Sequence, residues 1–167
     1  AQGGKRKVLG LFKTKKGKTI VIKAPVSGET VDLVDVPDQV FAGKMVGDGL
    51  AFKPNEGLLY APVNCEVVQI FPTKHAVGLR TKEGLEILIH VGIDTVKMGG
   101  EGFACFVQPN QKVKAGEKIM KFDLKLISEK AKSTLIPLLI TNMEVVRDLR
   151  IYPGIVTPRS TVMEVRI

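Results

Sequence analysis

The sequence contains two histidines, His75 and His90, and these are the residues with the widest chemical repertoire. Near pH 7 a neutral imidazole is both a nucleophile and a metal ligand, and the charged ring donates hydrogen bonds from both nitrogens. The residues around each histidine therefore decide between a buried structural role and a functional one.

Residues 85–91 alternate in polarity, which predicts a β-strand with a buried face and an outward face. The aliphatic residues at the odd positions share one face, whereas Glu86, Leu88 and His90 share the other. Because the aliphatic face is expected to cover the core, the His90 side chain is predicted to point away from it.

The register between this strand and the preceding one decides whether the two histidines meet. A four-residue loop over 81–84 pairs Arg80 with Leu85 and sets His75 directly opposite His90, with Cβ atoms about 4.5–5.5 Å apart. A three-residue loop would place the two side chains on opposite faces. We take the four-residue loop as the prediction.

Two facing histidines are suited to metal binding, to acid–base catalysis, or to covalent carriage of a group on one ring. A catalytic zinc site needs a third protein ligand, and no HxH, HExxH or HxxxH spacing provides one. The sequence has no GxSxG elbow, and the glycine-rich segments 47–49 and 99–102 do not continue as Walker loops. A phosphohistidine carrier needs neither a third ligand nor a nucleotide site, so the residues favour it.

The elements that position these histidines are predicted to be short strands, because 17 glycines punctuate runs of β-branched residues. Strands are predicted at Thr19–Lys23, Thr30–Val34, Leu58–Ala61, Glu66–Phe71, Ala76–Arg80, Leu85–Val91, Phe103–Val107, Lys118–Phe122, Leu138–Thr141 and Val162–Ile167. An amphipathic pattern predicts a helix over Leu124–Leu135, and a helical turn is predicted at Asp38–Phe41. The fold class is therefore all-β, an antiparallel β-sandwich or open barrel with one or two short helices.

An internal repeat links two parts of the chain at an offset of 37 residues. Residues 24–31 and 61–68 share Ala-Pro-Val, a glutamate and a final valine, and Cys65 stands at the position of Gly28. This similarity predicts that the β fold is built from a duplicated strand–turn–strand motif.

Length and composition suit one domain in a reducing compartment. The 167 residues contain no apolar run near the length of a membrane span and no signal-peptide core at the start. The two cysteines, Cys65 and Cys105, form no CxxC spacing, so neither a disulfide framework nor a zinc knuckle is expected. A cytoplasmic location is predicted.

The net charge of +8 is concentrated at one end of the chain. Seven basic residues and no acidic residue occur in the first 18 positions, which predicts a flexible basic arm over 1–18 and a domain over 19–167. Base-stacking aromatics are not interleaved with the basic residues, so no nucleic-acid partner is expected. An amphipathic contact of the arm with anionic lipid, peripheral at the inner face of the membrane, is a further expectation.

Several motifs in this order resemble the glucose-type IIA family of the bacterial sugar phosphotransferase system. The similar segments are His90–Val96, Phe71–Ala76, Val36–Phe41, Lys44–Gly49, Gly100–Phe103 and Phe122–Leu124. The first is similar to the family's phosphorylation-site motif and the second to the strand that bears its second histidine. The resemblance covers roughly Thr19 to Asn142 and implies a β-sandwich with a duplicated motif.

The resemblance also implies roles for individual residues. His90 is expected to take a phosphoryl group from the histidine of the phosphocarrier HPr and to pass it to a cysteine on the IIB domain of a glucose-class sugar permease. His75 is expected to hydrogen-bond the phosphoryl oxygens, and Thr73 to hold the His75 ring in its useful tautomer. No cofactor is required, and neither cysteine of this chain lies in a IIB-like motif.

The partner-binding face is expected to be an apolar rim around the histidines with acidic residues at its edge. Its predicted members are Asp38, Val40, Phe41, Met45, Val46, Phe71, Leu88, Asp94 and Val96. An alternative function implied by the resemblance is regulation of glycerol kinase or non-sugar permeases through the same face. In such complexes a Zn²⁺ ion would be shared by His75, His90 and a carboxylate of the partner. A lysostaphin-type metallopeptidase, whose fold is distantly similar, needs an HxH pair that this chain lacks.

Overall fold

The computed structural model of the protein describes residues 17–167. Within that range the chain forms fourteen short β-strands and two α-helices, which confirms the all-β prediction. The strands are β1 (Thr19–Lys23), β2 (Gly28–Val31), β3 (Asp48–Pro54), β4 (Leu58–Tyr60), β5 (Cys65–Ile70), β6 (Ala76–Arg80), β7 (Glu86–His90), β8 (Phe103–Cys105), β9 (Lys112–Val113), β10 (Lys118–Phe122), β11 (Ile136–Ile140), β12 (Asp148–Ile151), β13 (Ile155–Val156) and β14 (Thr161–Arg166). The helices are α1 (Gln39–Ala42) and α2 (Leu124–Lys130), and 3-10 turns lie at Leu33–Asp35, Thr95–Met98 and Met143–Val145.

The described strands form one large antiparallel sheet and two small ones. The large sheet has the order β13-β2-β3-β11-β7-β6-β5-β9, and the small sheets have the orders β1-β14-β12 and β4-β10-β8. One hydrophobic cluster takes side chains from all three sheets, among them Ile22, Ile89 and Ile119, none of which is exposed. The small sheets therefore pack on one face of the large sheet, as the β-sandwich prediction requires.

The opposite face of the large sheet carries a second, smaller cluster. Ala51 of β3 and Leu139 of β11 pack there against Phe41 of α1 and Ile93, and Leu88 of β7 lies partly buried against the same group. All five residues of β11 are buried, because both faces of that strand are covered. Leu88 and His90 share a face of β7, so this cluster supports the floor of the site.

The predicted duplication is confirmed by a reciprocal pair of hydrogen bonds. The Lys23 N–H donates to the Pro62 carbonyl at 2.8 Å, and the Tyr60 N–H donates to the Pro25 carbonyl at 2.7 Å. Each bond is the other displaced by the 37-residue offset of the repeat. Two copies of one local motif therefore contact each other through equivalent backbone groups.

The predicted register between β6 and β7 is wrong by one residue. The structure pairs Arg80 with Glu86, so the connection is the five-residue segment 81–85. Two hydrogen bonds between Thr81 and Leu85 continue this register and leave residues 82–84 between them, so the register is that of the three-residue alternative. The Thr81 N–H donates to the Leu85 carbonyl at 3.0 Å, and the Thr81 hydroxyl accepts from the Leu85 N–H at 3.1 Å.

The same shift changes the partners of both histidines. His90 pairs with Ala76, and the His75 carbonyl accepts from the Val91 N–H at 2.7 Å, just before β6 begins. His75 is thus not directly opposite His90, and it lies one residue before β6 begins.

Other predicted boundaries are also corrected. The helix ends at Lys130 and not at Leu135, because Ala131 is extended and the Lys132 N–H donates to the Ile93 carbonyl. The strand predicted over Thr30–Val34 ends at Val31 and is followed by a 3-10 turn. Sequence patterns missed β3, β9, β12 and β13. Burial on both faces hides alternation in β3, and the other three have at most four residues each.

Of the predicted basic arm over 1–18, only Gly17 and Lys18 belong to the described residues. The Lys18 carbonyl accepts from the Ile167 N–H at 3.0 Å, which joins the start of the described range to its end. The arm's remaining residues lie outside that range, so the arm and its lipid contact stay predictions. No described helix combines the length and the apolar character that crossing a membrane requires.

Candidate active site

His90 is positioned by a central strand of the large sheet. β7 lies between β6 and β11, and its Ile87 and Ile89 side chains are buried in the main core. Leu88 and His90 are half-buried on the other face, as the alternation predicted. Both neighbouring strands pair with residues 87–89, and His90 itself pairs with Ala76 of β6, so the sheet fixes where the His90 backbone lies.

A backbone carbonyl fixes the tautomer of the His90 ring. His90 Nδ1 lies 2.6 Å from the Gly92 carbonyl oxygen. A carbonyl can only accept a hydrogen bond, so Nδ1 carries the proton and donates. In the neutral ring the lone pair is then on Nε2, which is the nucleophilic nitrogen.

Gly92 can offer its carbonyl because of its backbone conformation. Its φ angle is +79°, and a Cβ atom there would lie 2.5 Å from Thr95 Cγ2 and 3.1 Å from the Ser133 carbonyl oxygen. Only glycine combines this left-handed conformation with so close an approach. The sequence analysis did not predict a role for the Gly92 carbonyl, although a glycine two positions after a histidine in a strand was a signal for it.

His75 is held by a side chain in place of a backbone group. The Thr73 hydroxyl oxygen lies 2.5 Å from His75 Nδ1. The loop closes on itself, since the Phe71 N–H donates to the Ala76 carbonyl at 3.0 Å and Lys74 has a φ of +61°. The His75 side chain is only 5% exposed.

The structure brings the two imidazole rings together in spite of the corrected register. Their centroids are 4.8 Å apart and their planes are inclined at 77°. The centroid of the Phe41 ring lies 5.0 Å from that of His90, and the centroid of the Phe71 ring lies 5.7 Å from that of His75. The histidine pair is therefore bordered by an aromatic ring on each side.

Burial keeps both imidazoles neutral near pH 7. It lowers the pKa of His75 to about 4, and charge on His90 acts in the same direction. Burial also lowers the pKa of His90, but the hydrogen bond to Gly92 and the carboxylates of Asp38 and Asp94 oppose that shift. His90 thus has nearby groups that stabilise a positive ring, whereas the groups acting on His75 disfavour one.

The two predicted acidic edge residues lie at the starts of short helical segments. The Asp38 carboxylate caps α1, accepting from the Val40 N–H at 2.9 Å and the Phe41 N–H at 3.3 Å. Asp94 has a left-handed φ of +61° before the Thr95–Met98 turn, and it pairs with Lys97 at 3.7 Å. Both carboxylates are close enough to His90 to affect its pKa.

The predicted apolar rim divides into exposed and buried parts. Val40, Met45 and Val96 are 44%, 76% and 52% exposed. Val46, Phe71 and Leu88 are half-buried, whereas Phe41 is a buried core residue whose ring contacts His90. The predicted rim therefore combines solvent-exposed apolar side chains with half-buried ones and with the buried Phe41 ring.

In the described part of the chain, neither a metal cluster nor a reactive thiol accompanies the histidines. Among residues 17–167 no group of three His, Cys, Asp or Glu side chains is arranged to hold a metal ion. Burial raises the pKa of the Cys65 thiol to about 12. Burial also raises the pKa of Cys105, against a smaller lowering by Lys74. Both thiols are protonated near neutral pH and are poor ligands or nucleophiles in that form.

Comparison with known proteins agrees with this geometry. Residues 20–146 match the family described as "phosphoenolpyruvate-dependent sugar phosphotransferase system, EIIA 1". The chain belongs to this EIIA family. Both histidines and Thr73 lie inside the matched range. As an EIIA component, the protein takes part in phosphoryl transfer within the phosphotransferase system.

Individual relatives of the EIIA chain agree with the family match. It is 48% identical over 156 residues, 93% of each chain, to the "PTS system glucose-specific EIIA component" of Bacillus cereus. It is 52% identical over 122 residues to the "PTS system glucoside-specific EIICBA component" of Staphylococcus carnosus, covering 73% of this chain and 18% of that protein. The solved "glucose permease IIA from Mycoplasma capricolum" superimposes with a TM-score of 0.82 at 38% identity, covering 88% of this chain and 96% of that chain.

Proposed function

We propose that the protein is a phosphohistidine carrier that accepts a phosphoryl group on His90 Nε2. The donor is the phosphohistidine of HPr, and the acceptor is a cysteine on the IIB domain of a glucose-class sugar permease. The observation that carries the proposal is the hydrogen bond from His90 Nδ1 to the Gly92 carbonyl. This bond leaves the Nε2 lone pair available beside a second neutral imidazole.

Uptake breaks one N–P bond and forms another. The Nε2 lone pair attacks phosphorus, and the HPr histidine nitrogen leaves with the electron pair of its N–P bond. Because Nδ1 keeps its proton, the phosphorylated His90 ring is positive, and the Gly92 carbonyl, Asp38 and Asp94 stabilise that charge. In onward transfer the IIB thiolate attacks phosphorus and the pair returns to Nε2, so His90 leaves as a neutral ring.

His75 acts as a hydrogen-bond donor to the phosphoryl oxygens. For Nε2 to carry the proton, Nδ1 must accept, and the Thr73 hydroxyl 2.5 Å away can donate to it. Burial keeps the free ring neutral, since it lowers the pKa of His75 to about 4. A phosphoryl dianion beside the ring favours its charged form, so His75 can adjust its charge as the group arrives and leaves.

The names of the relatives support a sugar permease as the acceptor. The Bacillus cereus relative is named as glucose-specific, and the Staphylococcus carnosus relative carries EIIC and EIIB in the same name as EIIA. In the latter the matching region is part of a longer chain. We therefore place glucose or a glucoside at the end of the transfer sequence.

The test of the carrier function is an intact-mass measurement. Incubation with phosphoenolpyruvate, Enzyme I and HPr is expected to add one phosphate that is labile in acid and stable in alkali. The His90→Gln variant is expected to gain none, since its amide has no nucleophilic nitrogen. An equally labelled His90→Gln protein would contradict the assignment.

The docking face for HPr and IIB is the apolar rim defined above. Met45→Lys or Phe71→Lys is expected to weaken HPr binding by more than about 1 kcal/mol, because a buried cation would replace apolar contact. Ile155→Lys is the matched control. Ile155 is 89% exposed and lies on β13, four strands from β7 in the sheet order. Unchanged HPr binding in both rim variants would remove the rim as the docking face.

A second function, regulation of glycerol kinase or non-sugar permeases, is favoured by the Nε2 atoms of the histidine pair, which have no hydrogen-bond partner within residues 17–167. Each Nδ1 already has a partner on this chain, Thr73 for His75 and Gly92 for His90. The two Nε2 atoms can therefore supply two ligands of a tetrahedral Zn²⁺ ion, and the regulated partner would supply a carboxylate. Binding that requires Zn²⁺, and that is lost on phosphorylation, would support this role. Binding that is insensitive to both would exclude it.

The basic arm over 1–18 is proposed to contact anionic lipid. Co-sedimentation with phosphatidylserine vesicles is expected to be stronger for residues 1–167 than for residues 19–167, and to weaken with added salt. Equal sedimentation of the two forms would exclude the arm as an anchor.

A further inference from the structure

The fully buried hydroxyl of Thr95 has no role in the chemistry described so far. Within residues 17–167 the buried polar or charged side chains are His75, Thr81 and Thr95, and Thr95 is 0% exposed. Its hydroxyl donates to the Val91 carbonyl at 2.7 Å. Burying a hydroxyl costs free energy unless it forms a hydrogen bond, and this one forms its bond within the turn that follows His90.

The Thr95 bond closes the turn in which Gly92 lies. Two residues of that turn have left-handed backbone angles, Gly92 with φ +79° and Asp94 with φ +61°. The Val91 carbonyl is held by Thr95, and the Ile93 N–H donates to the Ser133 carbonyl at 2.9 Å. Gly92 therefore stands between two anchored residues, and the direction of its carbonyl is determined by them.

The Thr95 methyl group adds a steric restraint to the polar one. A Cβ atom placed on Gly92 would lie 2.5 Å from Thr95 Cγ2, so this methyl group covers the open side of the glycine. The Thr95 hydroxyl thus holds the peptide group before Gly92 and its methyl group covers the Gly92 Cα, while the Ile93 N–H anchors the peptide group after it.

We propose that Thr95 is a positioning residue for phosphoryl transfer, acting on His90 through the Gly92 carbonyl. It holds that carbonyl 2.6 Å from His90 Nδ1, which keeps the ring proton on Nδ1 and the lone pair on Nε2. A ring with the proton on Nε2 has no lone pair facing the donor. The role in transfer rests on the proposed function of His90, whereas the effect on the tautomer does not.

The experiment compares Thr95→Val, which keeps the shape and removes the hydroxyl, with Thr95→Ser, which keeps the hydroxyl. Long-range ¹H–¹⁵N NMR of the unphosphorylated protein reports which His90 nitrogen carries the proton. Thr95→Val is expected to populate the Nε2–H tautomer and to slow uptake from phospho-HPr about tenfold, the effect of losing one good hydrogen bond. Thr95→Ser is expected to retain the wild-type tautomer and most of the rate.

Thr81→Val is the matched control, because Thr81 is also buried and also closes a turn by a side-chain hydrogen bond. It is expected to lower stability and to leave the His90 tautomer unchanged. A Thr95→Val protein with wild-type tautomer and uptake, whatever its stability, would overturn the proposal. If that variant does not fold, Thr95→Ala is measured in the same way. If wild-type His90 takes up no phosphate, the proposed function fails, and the tautomer measurement still decides the role of Thr95.

Discussion

The loop that holds His75 and the turn that holds His90 perform the same task with different chemical groups. In the first, a threonine hydroxyl that can donate or accept lies beside the ring nitrogen. In the second, a backbone carbonyl that can only accept lies there. The ring centroids are only 4.8 Å apart, so the two rings share one environment. The difference in their tautomers therefore comes from the group that contacts each Nδ1 atom. His90, the proposed nucleophile, has a tautomer set by the backbone, whereas His75, the proposed donor, has one that a side chain can adjust.

The charges near the two rings follow the same division. Carboxylates of Asp38 and Asp94 oppose the lowering of the His90 pKa. Among residues 17–167, the charged group that affects the His75 pKa is His90 itself, and it lowers that pKa further. The ring proposed to carry the phosphoryl group is therefore the one supplied with groups that tolerate its positive charge. The comparison predicts that perturbing the two regions has different consequences.

The largest difference is expected between glutamine substitutions at the two histidines. His90→Gln removes the attacking nitrogen, so uptake from phospho-HPr is expected to be lost. His75→Gln keeps a donor but not a ring that can become charged, so uptake continues while transfer to IIB slows by about 10²–10³. Intact-mass labelling followed by a chase with IIB measures both steps. Labelling retained in His90→Gln and lost in His75→Gln would reverse the two roles.

Gly92, whose carbonyl anchors the His90 ring, is expected to tolerate an added methyl group less well than Gly84, a glycine in the β6–β7 connection. Gly92→Ala places a Cβ 2.5 Å from Thr95 Cγ2 in a left-handed conformation, whereas Gly84→Ala adds a Cβ at φ +95° with nothing within 4 Å. Gly84→Ala is expected to cost only the backbone strain, about 1–2 kcal/mol, and to leave uptake unchanged. Gly92→Ala is expected to cost more in unfolding free energy and to slow uptake at least about tenfold. Equal effects of the two alanines on uptake would show that the carbonyl position is unimportant.

The pH dependence of stability separates the two rings by their pKa values. The folded pKa of His75 is about 4 against an ordinary value of 6.5, so between these values the unfolded chain binds the extra proton. The His75 contribution to stability is complete above pH 6.5 and is lost as pH falls towards 4, at a cost of about 2 kcal/mol between pH 7.5 and pH 5. Urea denaturation at these two pH values is expected to show a smaller difference for His75→Gln than for His90→Gln, because carboxylates oppose the shift of His90. An unchanged pH dependence in His75→Gln would contradict this.

The smallest effect is expected at the side-chain anchor of His75. Thr73→Val removes the hydroxyl that lies 2.5 Å from Nδ1, and the loss of one hydrogen bond is worth about 1 kcal/mol. Transfer to IIB is expected to slow by about fivefold and uptake by less, because the His90 tautomer is held by Gly92. Thr73→Ser is the control that restores the hydroxyl. Slower uptake with unchanged onward transfer would mean that Thr73 acts on the nucleophile instead.

Patterns confined to a few neighbouring residues were sufficient for much of this protein. The alternation over 85–91 correctly placed His90 on the outward face of a strand, and the 37-residue repeat corresponds to a real pair of equivalent hydrogen bonds. The motifs around His75 and His90 identified the family that the comparisons confirm. Such features are readable because strand alternation and motif order are properties of the chain itself.

The tertiary structure alone decided how the site is assembled. The pairing of Ala76 with His90, one residue from the predicted register, belongs to a ladder of five residue pairs that ends at Arg80 and Glu86. The strand β3 is hidden in the sequence because helices and loops cover its outer face. The tautomer of His90 depends on the Gly92 carbonyl, a group that every residue possesses and that only folding can aim at a ring nitrogen. Register, two-sided burial and the direction of a backbone carbonyl are long-range properties, which is why local sequence patterns do not contain them.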